Sequence, residues 1–409
     1  MHLHLLFNSM IQHGYVPAEF LSGVISPIIK DAGGDSSSLD NYRGITLSHV
    51  FGFLFEHALK IKFGHFLYSD DLQFGYKSCH STSHSIYVLK NCIDYLCRHG
   101  SNVLVSFLDC SKGFDCVCHE GIFVKLIKRN VPLCFLRILV YWFSNLNSRC
   151  KWQNVFSRSF SVTSGVRQGG VLSPKIFAMY MDDLVVELKL KGVGCHIINV
   201  FLACILYADD VCLIAPSRSA MQDLLDICST YAEDWCIWYN EKKTKIMAFG
   251  KKFDSFSCVP LTMNGKNLSF VSEWKYLGVT VKSGRYFSCS AAPCLASFYR
   301  TTNTILNVAK KPREQVLMNL LYSICVPILT YACEVKVFSA REMTQLHVAC
   351  NDAIRKVFTY NRWESVKALR ENMGYLSITE IFAERKLKFE RKLATMNNAV
   401  LRHLHNVFP

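Results

Sequence analysis

Two adjacent carboxylates, Asp209 and Asp210, lie between the apolar runs Phe201 to Leu206 and Val211 to Ala215. Each run has strand length and is rich in Val, Ile, Leu, Phe and Cys, so the segment reads as two strands joined by a tight turn with the acids at the bend. Flanks this apolar normally bury what they enclose, and neighbouring ionised carboxylates repel, so an uncompensated pair there is costly. Two readings fit these letters. One is a divalent-metal site, in which a cation offsets the charge; the other is a surface turn, where Asp is common.

Tyr180-Met181-Asp182-Asp183 nearly copies Tyr207-Ala208-Asp209-Asp210 in a different context. It follows Ser173-Pro174, a helix-start signal, and Ile176, Phe177, Tyr180, Met181, Leu184, Val185 and Leu188 recur at helical spacing. The spacing predicts an amphipathic helix with Asp182 and Asp183 on its solvated flank, and no metal site.

At 409 residues the chain is long enough for a large core and two or three subdomains. Its 46 Lys and Arg against 32 Asp and Glu give a net charge of +14, which points to a polyanionic partner. The 19 cysteines are scattered singly through apolar segments, a pattern of reduced intracellular thiols rather than a disulfide scaffold. Neither Cys116, Cys118 and His119 nor Cys79, His80 and His84 has zinc-ligand spacing. No signal-peptide pattern and no apolar run of membrane-spanning length is present, so a soluble intracellular protein without a membrane partner is expected. DAGGDSSS at 31–38 reads as a turn, and no internal repeat is found.

Along the chain, Gly23 to Lys30 reads as a strand, and Phe51 to Phe63 and Ser81 to Cys97 as helices. Val103 to Leu108 reads as a buried strand ending on Asp109. Helical patterns run from Glu120 to Asn145, strand-like ones around Lys151 to Thr163, and Ala220 to Tyr239 reads as one amphipathic helix. Short strands follow at Lys245 to Phe249 and Tyr276 to Val281, and beyond about residue 295 the pattern is mainly helical and basic. A strand ending in Asp109 beside the hairpin of Asp209 and Asp210 can gather three carboxylates on one sheet. Adjacent strands are about 5 Å apart, which suits two divalent ions, and an all-oxygen set suits Mg²⁺.

Seven blocks in order carry a resemblance. LDCSKGFD at 108–115, GVRQGGVLSP at 165–174, YADD at 207–210, NEKKTK at 240–245 and WKYLGV at 274–279 resemble successive motifs of reverse transcriptases, in the form found in non-LTR (LINE-type) retrotransposons. ISPIIKDAGGDSSSLDNYRGITL at 25–47 and LQFGYKSCHST at 72–82 are similar to that family's fingers motifs. The resemblance implies an α+β right-hand polymerase: partial fingers over 1–100, a ferredoxin-like palm with inserted fingers elements over 101–290, and a helical thumb with a C-terminal extension over 291–409. It implies an RNA-directed DNA polymerase working with two Mg²⁺ ions, Mn²⁺ being a substitute, on an RNA template, a DNA primer and deoxynucleoside triphosphates.

Carried over by motif, Asp109, Asp209 and Asp210 would be the catalytic metal ligands. Phe114 would be the gate against the ribose 2′-hydroxyl, which also argues against an RNA polymerase. Gln168 and Gly169 would pack on the incoming nucleotide, and Lys30, Arg43 and Lys243 would hold its phosphates. Tyr276, Leu277 and Gly278 would grip the primer. Thumb cations, among them Lys310, Lys311, Arg313, Arg355, Lys392 and their neighbours, would track duplex phosphates. Gly113 stands where the family usually has Ala. Met1 falls where fingers sequence is already under way and no endonuclease precedes it, so the chain reads as an N-terminally truncated piece of a mobile element. The alternative function is that of a catalytically silent relic or a co-opted nucleic-acid-binding protein.

Overall fold

The computed structural model describes residues 1–251, 260–308 and 312–408; Lys310 and Lys311 lie outside them. The elements that build the site are β1 (Ser22–Ile29), β2 (Tyr42–Ser48), α1 (Val50–Phe63), α2 (Thr82–Arg98), β3 (Val103–Asp109), β4 (Asn147–Trp152), α3 (Ser173–Lys191), β5 (Cys204–Tyr207), β6 (Asp210–Ala215), α4 (Arg218–Asp234), β7 (Lys245–Phe249), β8 (Ser269–Phe270), β9 (Glu273–Tyr276) and β10 (Val279–Lys282), followed by α5 (Ala340–Phe358), α6 (Ile378–Thr395) and α7 (Ala399–Val407).

A five-stranded sheet in the order β8-β7-β3-β6-β5 forms the centre. Strand β3 lies in the middle, antiparallel to both β6 and β7. Its sequence VLVSFLD is buried at every position but the last, as a strand covered on both faces requires. Helix α2 packs against β5 and helix α4 against β6. A second sheet pairs β2 antiparallel and β4 parallel to β1.

Helix α4 presents Leu224, Leu225, Cys228 and Tyr231 to the core and is capped by the Ser217 hydroxyl, which accepts from the Ala220 amide at 3.2 Å. It ends at Asp234, five residues before the Tyr239 read from the pattern. Cys236 turns left-handed (φ 54°), and the Ile237 amide folds back onto the Ala232 carbonyl at 2.8 Å. The chain is thereby freed to bridge Tyr239 to Cys110 beside the end of β3.

Helix α3 starts at Ser173-Pro174, as read, and stops at Gly192, but Asp182 does not face solvent and Asp183 does so only in part. Asp182 is buried, accepting from the Asp70 amide and, at 2.8 Å, from the Arg129 guanidinium. Asp183 pairs at 2.7 Å with Lys125, a fully buried lysine whose ammonium lies 3.6 Å from the centre of the Trp235 ring. Both acids are thus neutralised by cations from the helix at His119–Lys128 and its C-cap, and lack the open charge a metal needs.

A smaller core joins the helices at 292–308, 314–320 and 326–330 to α5 through Phe298, Met318, Leu329, Leu346 and Ile354. Helix α6 leaves this cluster, and its second half returns with α7 to the main core through Phe389, Leu393, Leu401 and Leu404. All cysteines described are free thiols, most of them buried. Among the described residues no helix is long and apolar enough to cross a membrane.

Candidate functional site

The register of β3 with β6 places Asp109 directly opposite Asp210. Of the two hairpin acids Asp210 is thus the strand partner, and Asp209 sits in the turn from β5, just after Ala208, which takes a left-handed backbone (φ 59°). Burial, then the charges of Asp209 and Asp109, push the Asp210 carboxyl up to about 6. Burial and the Asp109 charge also raise Asp209, while its own amide and Arg43 on β2 pull it down. Lys243 stands 3.8 Å from the half-exposed Asp109 carboxylate. It is delivered by the loop after Tyr239, where the Asn240 amide donates to the Asp109 carbonyl at 2.9 Å and the Asn240 side chain accepts from the Lys242 and Lys243 amides.

The acidic turn is clamped by a segment far away in sequence. Gln73, fully buried, accepts from the amides of Ala208 (3.1 Å) and Gly75 (2.8 Å). The Phe74 amide donates to the Leu206 carbonyl, and the Leu206 amide to the Leu72 carbonyl. Gly75 has no room for a side chain, since a Cβ would fall 2.2 Å from the Ala208 nitrogen. Tyr76 follows with its ring edge-on to Phe114, 5.9 Å between centres. Sequence reasoning quoted this motif but gave Gln73 no role. The available signal is an amide between Leu72 and Phe74, a buried context in which it must find partners.

The remaining predicted residues surround these acids. The Phe114 ring stacks on Phe177 at 4.8 Å. At Gly113 a Cβ would come within 3.1 Å of Cys110 Sγ and of the Phe177 ring, so glycine there lets that ring close beneath Phe114. Gln168 donates to Asp115 at 3.1 Å, and its carbonyl accepts from Thr46 of β2 at 2.7 Å. Gly169 (φ 117°) lies so near the Thr46 carbonyl that a Cβ would come within 2.7 Å. Behind this loop Arg167 is buried, donating to the carbonyls of Phe20, Leu21 and Asn147, and Glu56 accepts from the amides of Val171 (2.6 Å) and Leu172 (2.9 Å). Lys30 donates to the Asp40 carbonyl at 2.8 Å. Tyr276 is buried, its ring 4.9 Å from Phe107, so it belongs to the core, whereas Leu277 and Gly278 form the left-handed turn between β9 and β10 (φ 45° and 80°). The Tyr331 hydroxyl holds that turn, donating to the Leu277 carbonyl at 3.1 Å and bonding Thr82 at 2.8 Å.

Residues 31–281, more than half of the chain, match the family model described as reverse transcriptase (RNA-dependent DNA polymerase). The chain belongs to the reverse transcriptase family. Its fold is accordingly that of an α+β right-hand polymerase. It is 24% identical over 373 residues to the RNA-directed DNA polymerase from mobile element jockey of Drosophila melanogaster, covering 87% of this chain and 39% of that protein. The jockey polymerase of Drosophila funebris is 25% identical over 426 residues, covering 99% and 45%. The Pol polyprotein from the type-1 retrotransposable element R2 of Nasonia vitripennis is 24% identical over 286 residues, covering 68% and 28%. The chain thus spans less than half the length of these non-LTR relatives. Among solved structures, a Candida tropicalis telomerase superposes with a TM-score of 0.48 at 11% identity, covering 99% of this chain and 68% of that one, too loose a likeness to place residues.

Proposed function

We propose that this chain extends the 3′-hydroxyl of a DNA primer along an RNA template, with two Mg²⁺ ions held by Asp109, Asp209 and Asp210. The observation that carries the reading is the β3–β6 register, which sets two carboxylates face to face beside a third. The donor set fits the group: all ligands are hard oxygens, and the proton affinity of Asp209 and Asp210 is raised first by burial and then by neighbouring carboxylates, both of which a cation offsets. Among the described residues no three acidic, His or Cys side chains close into a ready cage. Mg²⁺ does not need one, because it takes one or two carboxylates and completes its shell with substrate phosphates and water. Mn²⁺ accepts the same oxygen ligands.

When bound, the ions supply activation of the primer hydroxyl and neutralisation of the leaving pyrophosphate. The chain's own residues do the positioning. Lys30, Arg43 and Lys243 offer cations to the triphosphate. Phe114, stiffened by Phe177, fills the space a 2′-hydroxyl would need. Gln168 and Gly169 present a flat backbone and an amide to the incoming nucleotide, and the Leu277-Gly278 turn meets the primer. Gln73 keeps the acidic turn from shifting.

A groove of about 1000 Å³ opens beside Tyr76 and supports a polyanionic partner. Lys60, Lys175 and Lys392 line it, and none of them has a carboxylate partner among the described residues. Burial, and then the charge of Lys60, lower the proton affinity of Lys175. The test is primer extension on poly(rA)/oligo(dT) with dTTP and Mg²⁺, comparing wild type with Asp209→Asn. Metal-dependent extension by the wild type alone is expected. Duplex binding with no extension above the variant would leave a nucleic-acid-binding protein and overturn the polymerase reading.

A further inference from the structure

Lys112 lies between the first acid, Asp109, and the ring of Phe114, in a left-handed backbone (φ 53°) that a side-chain-bearing residue adopts only under strain. That conformation turns the side chain out of the short helix Gly113–Cys116 that it precedes, and its ammonium meets the Asp40 carboxylate at 2.9 Å. Asp40 is also met by Lys30, which donates to its carbonyl at 2.8 Å. Its carboxyl is held below the ordinary range first by Lys112, then by Lys30 and Lys243. Lys243 in turn reaches Asp109. Asp40 therefore meets two ammonium groups, Lys112 at its carboxylate and Lys30 at its backbone carbonyl, and lies in the field of a third, Lys243, at the edge of the acidic site.

A single carboxylate is a poor match for that much positive charge, and so exposed an ion pair is weak and easily exchanged. A triphosphate brings more charge and more acceptor oxygens to the same donors. The loop carrying Asp40 is organised without the Lys112 contact. The Asn41 side chain accepts from the Asp31 amide at 3.0 Å and donates to the carbonyls of Asp31 (2.9 Å) and Asp35 (3.2 Å). Exchanging the anion need not unravel it.

We propose that Lys112 binds the triphosphate of the incoming nucleotide and that Asp40 is an internal placeholder, an anion seated among Lys30, Lys112 and Lys243 that the nucleotide displaces. This rests on the polymerase reading and adds to it a binding residue and a competitor.

The two partners of the ion pair should then act with opposite signs. With poly(rA) and an oligo(dT) primer ended by a dideoxynucleotide, no chemistry occurs, and dTTP binding in Mg²⁺ is measured by equilibrium dialysis. Lys112→Ala should weaken dTTP binding about tenfold, the loss of one charge-assisted contact, and Lys112→Arg should restore most of it. Asp40→Asn should tighten binding about threefold, and the double variant should behave as Lys112→Ala. If both single variants weaken binding, or neither changes it, the pair is a surface ion pair and the proposal falls while the polymerase reading stands. If the wild type itself shows no preference for dTTP over mismatched dGTP, the polymerase reading falls and takes the proposal with it. Melting temperatures equal to wild type guard against misfolding as the cause.

Discussion

Asp210 shows what gathering acids costs. Its carboxyl loses its proton near 3.8 when unfolded and near 6 in the fold. Between those values the folded protein binds more protons than the unfolded chain, so this residue's share of stability falls as pH rises from about 4 to about 6 and stays lost above that. The carboxylate keeps contact with solvent, which screens the effect. In chelator, Asp210→Asn should therefore melt progressively higher than wild type across that window, and Mg²⁺ should raise the wild type more than the variant. Parallel melting curves at every pH would refute this. Phe114 carries a second expectation: Phe114→Ala should lower the dTTP/UTP ratio of kcat/KM by on the order of tenfold or more, since the smaller side chain leaves room for a hydroxyl. An unchanged ratio would return Phe114 to the core, where its stacking on Phe177 already gives it a role. At this scale the three acids were legible because strand ends carrying charge contradict their apolar flanks. Gln73 was not, because its partners are backbone atoms of Ala208, 135 residues away, and a backbone atom leaves no letter.

Strands and helices were read well where one face is apolar and poorly where a partner element decides the outcome. The β3 strand, the β5–β6 hairpin and the start of α3 all follow from local pattern. The environment of Asp182 and Asp183 does not, because Lys125 and Arg129 approach from another helix, and helical periodicity reports only a helix's own faces. The end of α4 was missed for a related reason: Trp235 and Ile237 continue the apolar spacing while the backbone has already turned left-handed at Cys236. The turn of Leu277 and Gly278 shows how one element is set by another. Tyr331, just past the helix at 326–330, ties that turn to the first residue of α2, and its ring fills the space a Cβ on Gly278 would take, at 2.9 Å. Tyr331→Phe keeps the ring and removes both hydrogen bonds, at a cost of about 1 kcal/mol. The KM for primer-template should rise severalfold while the KM for dTTP stays put and the melting temperature falls by no more than about 2 °C. Thr82→Val should do the same, and the double variant no more than either alone. Fully additive effects would mean that the two hydroxyls act separately.

Across the whole molecule the fold spreads its positive charge unevenly. The net charge of +14 says only that a polyanion is favoured; where it binds depends on how α6 and α7 return from the smaller core to the main one. Asn398 caps α7 through the Leu401 amide and donates to the Asp71 carbonyl, which fixes the returning chain beside residues 71–80. Lys392 is thereby carried across more than three hundred residues of sequence to face Lys60, and Lys175 joins them from α3. Neither the groove nor its charge can be read from residue order, because no local pattern unites those three positions. If the groove holds an unpaired strand, each lysine releases counterions on binding, contributing about 0.7 to the slope of log K against log salt for single strands. Reversing all three, with Lys60→Glu, Lys175→Glu and Lys392→Glu, should flatten that slope by roughly 2 for a primer-template with a long single-stranded template overhang. A blunt duplex, which leaves the groove empty, should bind with its slope unchanged. Equal flattening for both substrates in fluorescence anisotropy titrations would show that the lysines act only through net charge, and would move the strand elsewhere on the molecule.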